Sequence, residues 1–308
     1  MAEFVPGFRP MEAAKEYAGE LQPCVIQPKM DGIRCVTAPF IEGLRAYSRK
    51  LKPIPNQHVQ DILSALPYGL DGELMVLRPD RTGFVGFNET QSAIMSADGQ
   101  PEFQFIAFDC ISPKLADKPY SARFEALGRV IGMMHEKVPE TAQYLRQVYS
   151  MDLRSERDLP TMVDHFISAG WEGAMTRTKD GLYKFGRSTG REQWLVKHKR
   201  FHHMEVVIRG GDALMRNVNA AETDARGLTK RSSNAAGLVA QELLGAFVVS
   251  IPGTDKVFSV GTGFDMAQRA QYWMTLNQLF GKTITISYQE LSPDGVPRFP
   301  VFTGFRMD

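Results

Sequence analysis

Short apolar runs separated by tight-turn residues most limit how this chain can fold. The runs CVIQ, LMVL, FQFIAF and GAMTR have the length and composition of strands. Turn residues separate these runs, notably the Asp-Gly pairs at residues 31–32, 71–72 and 180–181. The sequence therefore predicts a domain in which strands dominate.

Three helices are predicted among these strands. The first covers residues 11–21, MEAAKEYAGEL. The second covers residues 121–134, with Ser121 as N-cap and apolar residues at helical spacing. The third covers residues 158–170 and ends at Gly170. Because strands outnumber helices, we predict a mixed α+β domain.

The pattern changes near Phe201. Four strand-like runs follow, MEVVIR, GAFVVSI, KVFSVG and TITISYQ, with one helix over residues 265–280. Several strands with a single helix are typical of a small oligonucleotide-binding (OB) barrel. The polar segment 216–240 is predicted to be a long exposed loop. We therefore divide the chain into domains of residues 1–202 and 203–308.

Composition excludes several classes of protein. The 308 residues carry a net charge of +1, which gives no overall attraction to nucleic acid or membrane. The three cysteines lack the spacing of zinc ligands and suggest no disulfide framework, as expected of a protein in a reducing compartment. The N-terminus lacks the pattern of a signal peptide, and no apolar run is long enough to span a bilayer. We expect a cytoplasmic protein without a membrane partner.

The stretch QPKMDGIR places Lys29 at the end of an apolar run and before an acid-glycine turn. An amine is nucleophilic only when it is unprotonated, and burial or neighbouring cations favour that form. Gly32 would allow a sharp turn beside a ligand, and Arg34 could grip a phosphate or a ribose. A surface lysine before a hairpin is the simpler interpretation of this stretch taken alone.

Further motifs follow in a fixed order. They supply Arg49 in YSRK, Glu73 in LDGEL, Phe108 in FIAFDC, Glu172 in WEGAMTR, and Lys197 and Lys199 in WLVKHKR. Residues two apart in a strand face the same side, so the last two lysines would point together at an anion such as a phosphate. Each motif has an ordinary structural explanation, but these explanations do not account for the joint appearance of all of them.

This ordered set resembles the motifs of the covalent nucleotidyltransferases, which comprise ATP-dependent DNA ligases, RNA ligases and mRNA capping enzymes. The resemblance covers about residues 20–200. KVFSVGTGF, a helix and TITISYQEL are in turn similar to the OB domain of ATP-dependent DNA ligases, in particular the compact two-domain bacteriophage type. The combined resemblance implies a first domain of ATP-grasp-like antiparallel sheets with flanking helices, followed by an all-β OB-fold barrel.

The resemblance also implies roles for the motif residues. Lys29 would attack the α-phosphate of ATP, expel pyrophosphate and hold AMP as a phosphoramidate. Arg34 and Arg49 would contact the ribose, the AMP phosphate or the 5′-phosphate of a DNA nick. The AMP would then pass to that 5′-phosphate, and a neighbouring 3′-hydroxyl would displace it.

The remaining motif residues would bind the nucleotide and a metal ion. Glu73 would hold the ribose hydroxyls, and Phe108 would stack on adenine. Glu172, together with Glu73, would support Mg²⁺ or Mn²⁺. The paired lysines of WLVKHKR, Lys197 and Lys199, would neutralise the phosphates during catalysis.

Two positions depart from the family pattern. Where the family often carries a Glu that reads the adenine amino group, this chain has Gln27, whose amide oxygen can accept the same hydrogen bond. The C-terminal R-x-D-K motif is not evident, and Arg298 and Arg306 are imperfect substitutes without an assigned role.

The predicted partner is nicked duplex DNA, bound by a monomer. Basic residues cluster before the domain boundary with only Glu192 to oppose them: Lys184, Arg187, Arg191, Lys197, Lys199 and Arg200. Such residues would contact DNA phosphates, as would Arg49. Lys230 and Arg231 would reach the duplex from the barrel. A solvated basic face is the alternative interpretation.

Other functions stay open at this stage. A capping guanylyltransferase would use GTP but would need the R-x-D-K motif. RNA ligases usually lack a barrel with VGTGF. A non-catalytic single-strand-binding protein would use the barrel and the basic stretch alone, although the intact catalytic motifs argue against it. An NAD-dependent ligase is disfavoured because the chain has no cysteine tetrad.

Overall fold

The computed structural model describes residues 5–41, 43–224, 228–292 and 294–306. These residues form two compact units. The first unit comprises the described residues up to Lys199 together with Asp224 and Leu228, and the second comprises 200–223 and the described residues from 229 onward.

The first unit contains two sheets. Its strands are β1 (Cys24–Lys29), β2 (Ile33–Ile41), β3 (Leu44–Ser48), β4 (Leu70–Val76), β5 (Phe103–Cys110), β6 (Leu145–Gln147), β7 (Met151–Leu153), β8 (Gly173–Thr178) and β9 (Val196–His198). One sheet has the order β7-β1-β8-β9 and the other β3-β2-β4-β5-β6. All pairs are antiparallel except β5 with β6. The runs predicted as strands in this unit are all strands.

Helices flank these sheets. They are α1 (Gln57–Ser64), α2 (Phe87–Met95), α3 (Tyr120–Lys137), α4 (Pro139–Ala142) and α5 (Leu159–Ser168). Leu127 and Ile131 of α3 pack into the core of the five-stranded sheet, as their spacing predicted. α5 stops just before Gly170, which has a φ of +90°, as expected of a helix terminator.

Two predictions about helices in this unit were wrong. Residues 11–21 form no helix, because the backbone of Glu12 and Ala14 bridges to Arg187 and Val196 in an extended conformation. Met11 is 1% exposed, so tertiary packing of this segment outweighs the helical propensity of its sequence. Ser121 is not an N-cap, because α3 begins one residue earlier, after Pro119.

Gly32 has a different role from the one predicted. A Cβ atom at this position would lie 2.4 Å from the carbonyl oxygen of Leu74 and 2.5 Å from the sulfur of Met75. The absence of a side chain at Gly32 therefore lets the turn after Lys29 pack against β4. This close approach within the protein explains the glycine without a ligand.

The second unit is a barrel. Its strands are β10 (His202–Asn217), β11 (Ala221–Thr223), β12 (Thr229–Arg231), β13 (Leu238–Ser250), β14 (Val257–Val260), β15 (Thr283–Tyr288), β16 (Glu290–Leu291), β17 (Pro297–Arg298) and β18 (Val301–Phe305). The main sheet has the order β14-β13-β10-β15-β18. A bridge between Thr262, just after β14, and Val301 of β18 joins its two edges.

Two predictions about the barrel need correction. The helix over 265–280 is divided into α6 (Met266–Met274) and α7 (Leu276–Leu279). The segment 216–240 is not simply a loop: β10 and β13 remain paired as far as Asn217 and Leu238, and β11 pairs with β12 beyond them. Residues 225–227 of that segment lie outside the described residues.

Candidate active site

A cavity of about 280 Å³ in the first unit is lined by residues from both of its sheets. All the residues predicted to bind nucleotide line it except Glu172: Gln27, Lys29, Arg34, Arg49, Glu73, Phe108, Lys197 and Lys199. Residues more than 150 positions apart in sequence thus meet in one cavity.

The amine of Lys29 lies beside a carboxylate and further ammonium groups. Glu172 directly precedes β8, and the register of β1 with β8 places Lys29 opposite Gly173. The Lys29 carbonyl accepts a hydrogen bond from the backbone NH of Glu172 at 3.0 Å. The carboxylate of Glu172 forms ion pairs with both Lys29 and Lys199. Glu172 is therefore part of this site, although it does not line the cavity itself.

Lys197 and Lys199 reach the cavity from β9 and the residue after it. Lys197 lies opposite Met175 of β8, and both lysines line the cavity, as their spacing predicted. Burial lowers the pKa of Lys197, and the positive charges of Lys199 and Lys29 lower it further. The site concentrates positive charge and so is suited to an anionic ligand.

Glu172 and Glu73 have opposite pKa shifts. Burial acts to raise the pKa of Glu172, but its two lysine partners outweigh burial and the pKa is lowered. Burial raises the pKa of Glu73 to about 7, against the lowering effect of Arg34 and Lys29. The positive charges near Glu73 are therefore too weak to offset the effect of burial on its pKa.

The guanidinium of Arg34 is held by a buried carboxylate. Arg34 lies opposite Glu73 in the pairing of β2 with β4. Its Nε and Nη2 each donate to Asp71 at 2.6 Å. The hydroxyl of Tyr183 donates to the same carboxylate at 2.5 Å. This fixes Arg34 in one position at the cavity wall.

A second buried carboxylate organises the wall behind Phe108. Asp109 accepts from Arg123 at 2.8 and 3.0 Å and from Arg177 at 2.8 Å. The guanidinium carbons of Arg34 and Arg177 each lie 4.8 Å from the centre of the Phe108 ring. Arg177 itself lines the cavity. The ring is thus held by flanking cations.

Sequence reasoning assigned no role to these supporting residues. Asp71, Asp109 and Arg177 lie within the motifs LDGEL, FIAFDC and WEGAMTR, so their position beside the motif residues was the available signal. Arg123 lies outside every motif, whereas Tyr183 begins the stretch YKFGR, which together with WLVKHKR resembles a ligase linker but gave Tyr183 no role of its own.

Gln27 and Lys29 lie two apart on β1 and therefore face the same cavity. The amide nitrogen of Gln27 donates to the hydroxyl of Tyr120 at 2.6 Å and to that of Ser150 at 3.3 Å. Gln27 is 2% exposed, so its amide depends on these protein partners.

Two carboxylates of the site fit a hard divalent cation. Among the described residues, no three His, Cys, Asp or Glu side chains come together as a metal-ligand group. Glu73 and Glu172 could therefore supply only part of the coordination, with the rest from phosphate oxygens and water, an arrangement that Mg²⁺ accepts. Glu73 is half-buried, and a cation beside it would stabilise its charged form against the raised pKa.

The residues predicted to bind DNA differ in their surroundings. Lys184 pairs with Glu192 at 2.7 Å, and Arg187 pairs with Glu12 at 2.6 Å at the cavity wall. Arg49, Arg191 and Arg200 are exposed. In the barrel, Lys230 and Arg231 are exposed on β12, and Arg231 donates to the carbonyl of Asn219.

The two arginines considered for the C-terminal motif lie in the barrel. Arg298 pairs with Glu290 at 2.5 Å, and Arg306 pairs with Glu205 at 2.7 Å. The three cysteines are buried and free. In the described part of the chain, no helix combines the length and apolar character needed to cross a membrane.

Comparison with known proteins gives matches over both units. A family model described as the ATP dependent DNA ligase domain matches residues 9–199, and one described as a DNA ligase OB-like domain matches residues 239–306. The DNA ligase of African swine fever virus, isolate Warthog/Namibia/Wart80/1980, is 25% identical over 293 residues, which is 92% of this chain and 63% of that protein. The chain thus spans less than two-thirds of the length of this curated relative.

Solved structures match over nearly the whole chain. The crystal structure of Chlorella virus DNA ligase-adenylate is 30% identical, with a TM-score of 0.54, and the match covers 97% of this chain and 99% of that one. The structure of a Lig E DNA ligase is 22% identical, with a TM-score of 0.68 over 96% of this chain and 99% of that one, and shares the fold.

Proposed function

Since the chain belongs to the family of ATP-dependent DNA ligases, we propose that it seals nicks between a 5′-phosphate and a 3′-hydroxyl in duplex DNA at the expense of ATP. One observation supports this most directly. Lys29 lines a cavity in which Lys197 and Lys199 concentrate positive charge, and Glu172 beside this cavity forms ion pairs with Lys29 and Lys199.

The first step forms a covalent enzyme–nucleotide bond. The nitrogen of Lys29, having lost a proton, bonds to the α-phosphorus of ATP. The bond between that phosphorus and the bridging oxygen breaks, and pyrophosphate leaves with the electron pair. Lys197 and Lys199 neutralise the charge that develops on the phosphate oxygens. Forming the phosphoramidate removes the charge of Lys29 and so releases one partner of Glu172.

Two further transfers complete the reaction. A 5′-phosphate oxygen of the DNA attacks the AMP phosphorus, and the bond to Lys29 breaks. The adjacent 3′-hydroxyl then attacks the 5′-phosphorus, and AMP leaves. Arg34 and Arg49, at the cavity wall, are the proposed phosphate or ribose contacts.

The remaining wall residues would hold the nucleotide. Phe108 is 8% exposed and lines the cavity, where its ring would stack on adenine. Gln27 would accept from the adenine amino group, and Glu73 would hold the ribose hydroxyls. Glu73 and Glu172 would also hold Mg²⁺ or Mn²⁺, which supplies charge neutralisation to the phosphates.

Nicked duplex DNA is the proposed partner of both domains, with boundaries at residues 1–202 and 203–308. The basic residues proposed to contact its phosphates are Arg49, Lys184, Arg187, Arg191, Arg200, Lys230 and Arg231. We further propose that the protein acts as a monomer in the cytoplasm, that of a bacterial host if its source is viral.

Self-labelling tests this function directly. The purified protein is incubated with Mg²⁺ and α-labelled ATP and then denatured. We expect acid-labile label on the wild type and none on Lys29→Ala. Lys29→Arg is the matched variant, because it keeps a cation beside Glu172 but offers no amine. Addition of nicked DNA should discharge the label and join the strands.

Other results would redirect the assignment. Label from GTP alone would indicate a capping guanylyltransferase, and joining of RNA only would indicate an RNA ligase. No label from either nucleotide, with intact DNA binding, would indicate a non-catalytic binding protein.

A further inference from the structure

We propose that Tyr120 is a specificity-positioning residue that fixes the orientation of the Gln27 amide and thereby makes the cavity select ATP over GTP. This inference rests on the proposed nucleotide chemistry at Lys29. Tyr120 belongs to no sequence motif and lies at the first residue of α3.

A glutamine in this position has two possible orientations. With its oxygen toward the base, Gln27 accepts a hydrogen bond from the exocyclic amino group of adenine. After a flip of the amide, its NH₂ group would donate to the carbonyl oxygen of guanine instead. A carboxylate would have no such ambiguity, because both of its oxygens accept. Selection by Gln27 therefore requires a neighbour that distinguishes oxygen from nitrogen.

The hydroxyl of Tyr120 meets this requirement. It has one proton, which it donates to the carbonyl oxygen of Phe108 at 3.2 Å. Its oxygen is then an acceptor for the Gln27 amide nitrogen at 2.6 Å. A flipped amide would bring two acceptor oxygens together at that distance, which leaves buried groups without a donor. The NH₂ group is thus held away from the base.

The Phe108 carbonyl accepts from Tyr120 because of an irregularity in the strand pairing at this position. In the pairing of β4 with β5, the register shifts between Asp71 and Gly72, whose partners are Asp109 and Ala107. Phe108 is the extra residue at that bulge and is left out of the ladder. Its buried carbonyl therefore takes a side-chain donor, which commits the Tyr120 proton.

The surroundings of Tyr120 hold it in this arrangement. The residue is 2% exposed, and its ring lies 5.0 Å from the guanidinium carbon of Arg177 and 5.4 Å from the ring of Phe124. Burial raises the pKa of Tyr120, so the hydroxyl keeps its proton at neutral pH. The Ser150 hydroxyl, 3.3 Å from the same amide nitrogen, can rotate to donate or accept and so does not select an orientation.

Tyr120→Phe tests the proposal because it removes the hydroxyl and keeps the ring. Self-labelling is measured over a range of ATP and GTP concentrations for each variant. We expect the ratio of ATP to GTP labelling efficiency to fall by about tenfold or more, mainly through a lower KM for GTP. Ser150→Ala is the matched control, and its ratio should stay near that of the wild type.

Rescue separates positioning from a general structural role. In the Tyr120→Phe background, Gln27→Glu should restore the preference for ATP, since a carboxylate cannot be flipped. Gln27→Glu alone should prefer ATP at least as strongly as the wild type, which tests the same chemistry with Tyr120 intact.

Three results would overturn the inference and leave the proposed function standing. An unchanged ratio in Tyr120→Phe would show that the hydroxyl does not select the base. Equal losses with both nucleotides, without rescue by Gln27→Glu, would assign Tyr120 to packing only, and a shift of Gln27→Glu toward GTP would exclude Gln27 as the reader of the base. Wild-type protein that labels with neither nucleotide would instead refute the proposed function, and this inference with it.

Discussion

The two units of this protein bury very different side chains. The first unit, here called the catalytic unit after its proposed role, buries Asp71, Asp109, Arg123 and Arg177, whereas in the described part of the barrel Ser250 is the single buried polar residue. The barrel core is instead apolar: seven aliphatic side chains surround Phe247 and Phe302, and further aromatic rings that are partly buried pack against them. Buried ion pairs are weak evidence for stability, since apolar groups of similar volume are often as stable. The comparison indicates that the catalytic unit keeps buried charges to hold cavity residues in place.

Asp109→Asn would give the largest effect. It leaves Arg123 and Arg177 buried without their carboxylate, so we expect the free energy of unfolding to fall by roughly 3–5 kcal/mol. Self-labelling by ATP should be lost as well, because Arg177 and Phe108 form part of the cavity wall. Urea unfolding and labelling measure the two effects.

The matched control for Asp109→Asn is Asp152→Asn. Asp152 pairs with Lys179 at 2.8 Å, but the two side chains are 66% and 39% exposed. This variant should change stability by less than about 1 kcal/mol. Normal labelling by Asp109→Asn would contradict the positioning role given to the buried ion pairs.

Phe247→Ala tests the apolar side of the comparison. It removes a fully buried ring that contacts Phe264, Tyr272 and Phe302, so we expect a loss of about 3–5 kcal/mol in the barrel. Labelling well below the unfolding transition should change little, because none of these rings lines the cavity. Calorimetry should show one transition lowered, and equal lowering of all transitions would show that the units do not unfold separately.

Glu73→Gln should make the catalytic unit more stable at high pH and less active. The pKa of Glu73 in the folded protein, about 7, lies above its ordinary 4.5, so folding retains a proton between these pH values. Stability is therefore lost as the pH rises through this window. We expect Glu73→Gln to gain about 1–3 kcal/mol at pH 8 and little at pH 4.5, while nucleotide labelling falls.

The control for Glu73→Gln lies in the barrel. Glu205 is 49% exposed and pairs with Arg306. Glu205→Gln should change stability by no more than about 0.5 kcal/mol at either pH. A gain in Glu73→Gln that does not depend on pH would show that ionisation is not its cause.

Salt dependence of DNA binding should give the smallest effects. If Arg191 and Arg200 each contact a phosphate, the double alanine variant should reduce the slope of log K against log salt by about two. Lys230→Ala in the barrel should reduce it by about one. Titrations of nicked duplex at several salt concentrations measure these slopes, and unchanged slopes would remove these residues from the interface.

Much of the fold was predictable from local patterns. The resemblance to a nucleotidyltransferase followed by an OB domain is confirmed by the family models and by solved structures. Strand positions were predicted well, because alternation and turn residues are local signals. The failed helix at 11–21 is the counterexample, since its backbone bridges to residues near the end of the unit, which local propensity does not report.

The sequence by itself determined which reactive groups the site contains. Strand alternation and adjacent turns already define the positions of Lys29, Glu73, Glu172, Lys197 and Lys199. Only the tertiary structure decided which partners hold the residues of the site in place. Asp109 accepts hydrogen bonds from Arg123 and Arg177, which are 14 and 68 residues away in sequence, and Gln27 donates one to Tyr120, which is 93 residues away. The physical reason is that reactive groups follow the local period of a strand, whereas the partners of a buried charge or amide are set by long-range packing.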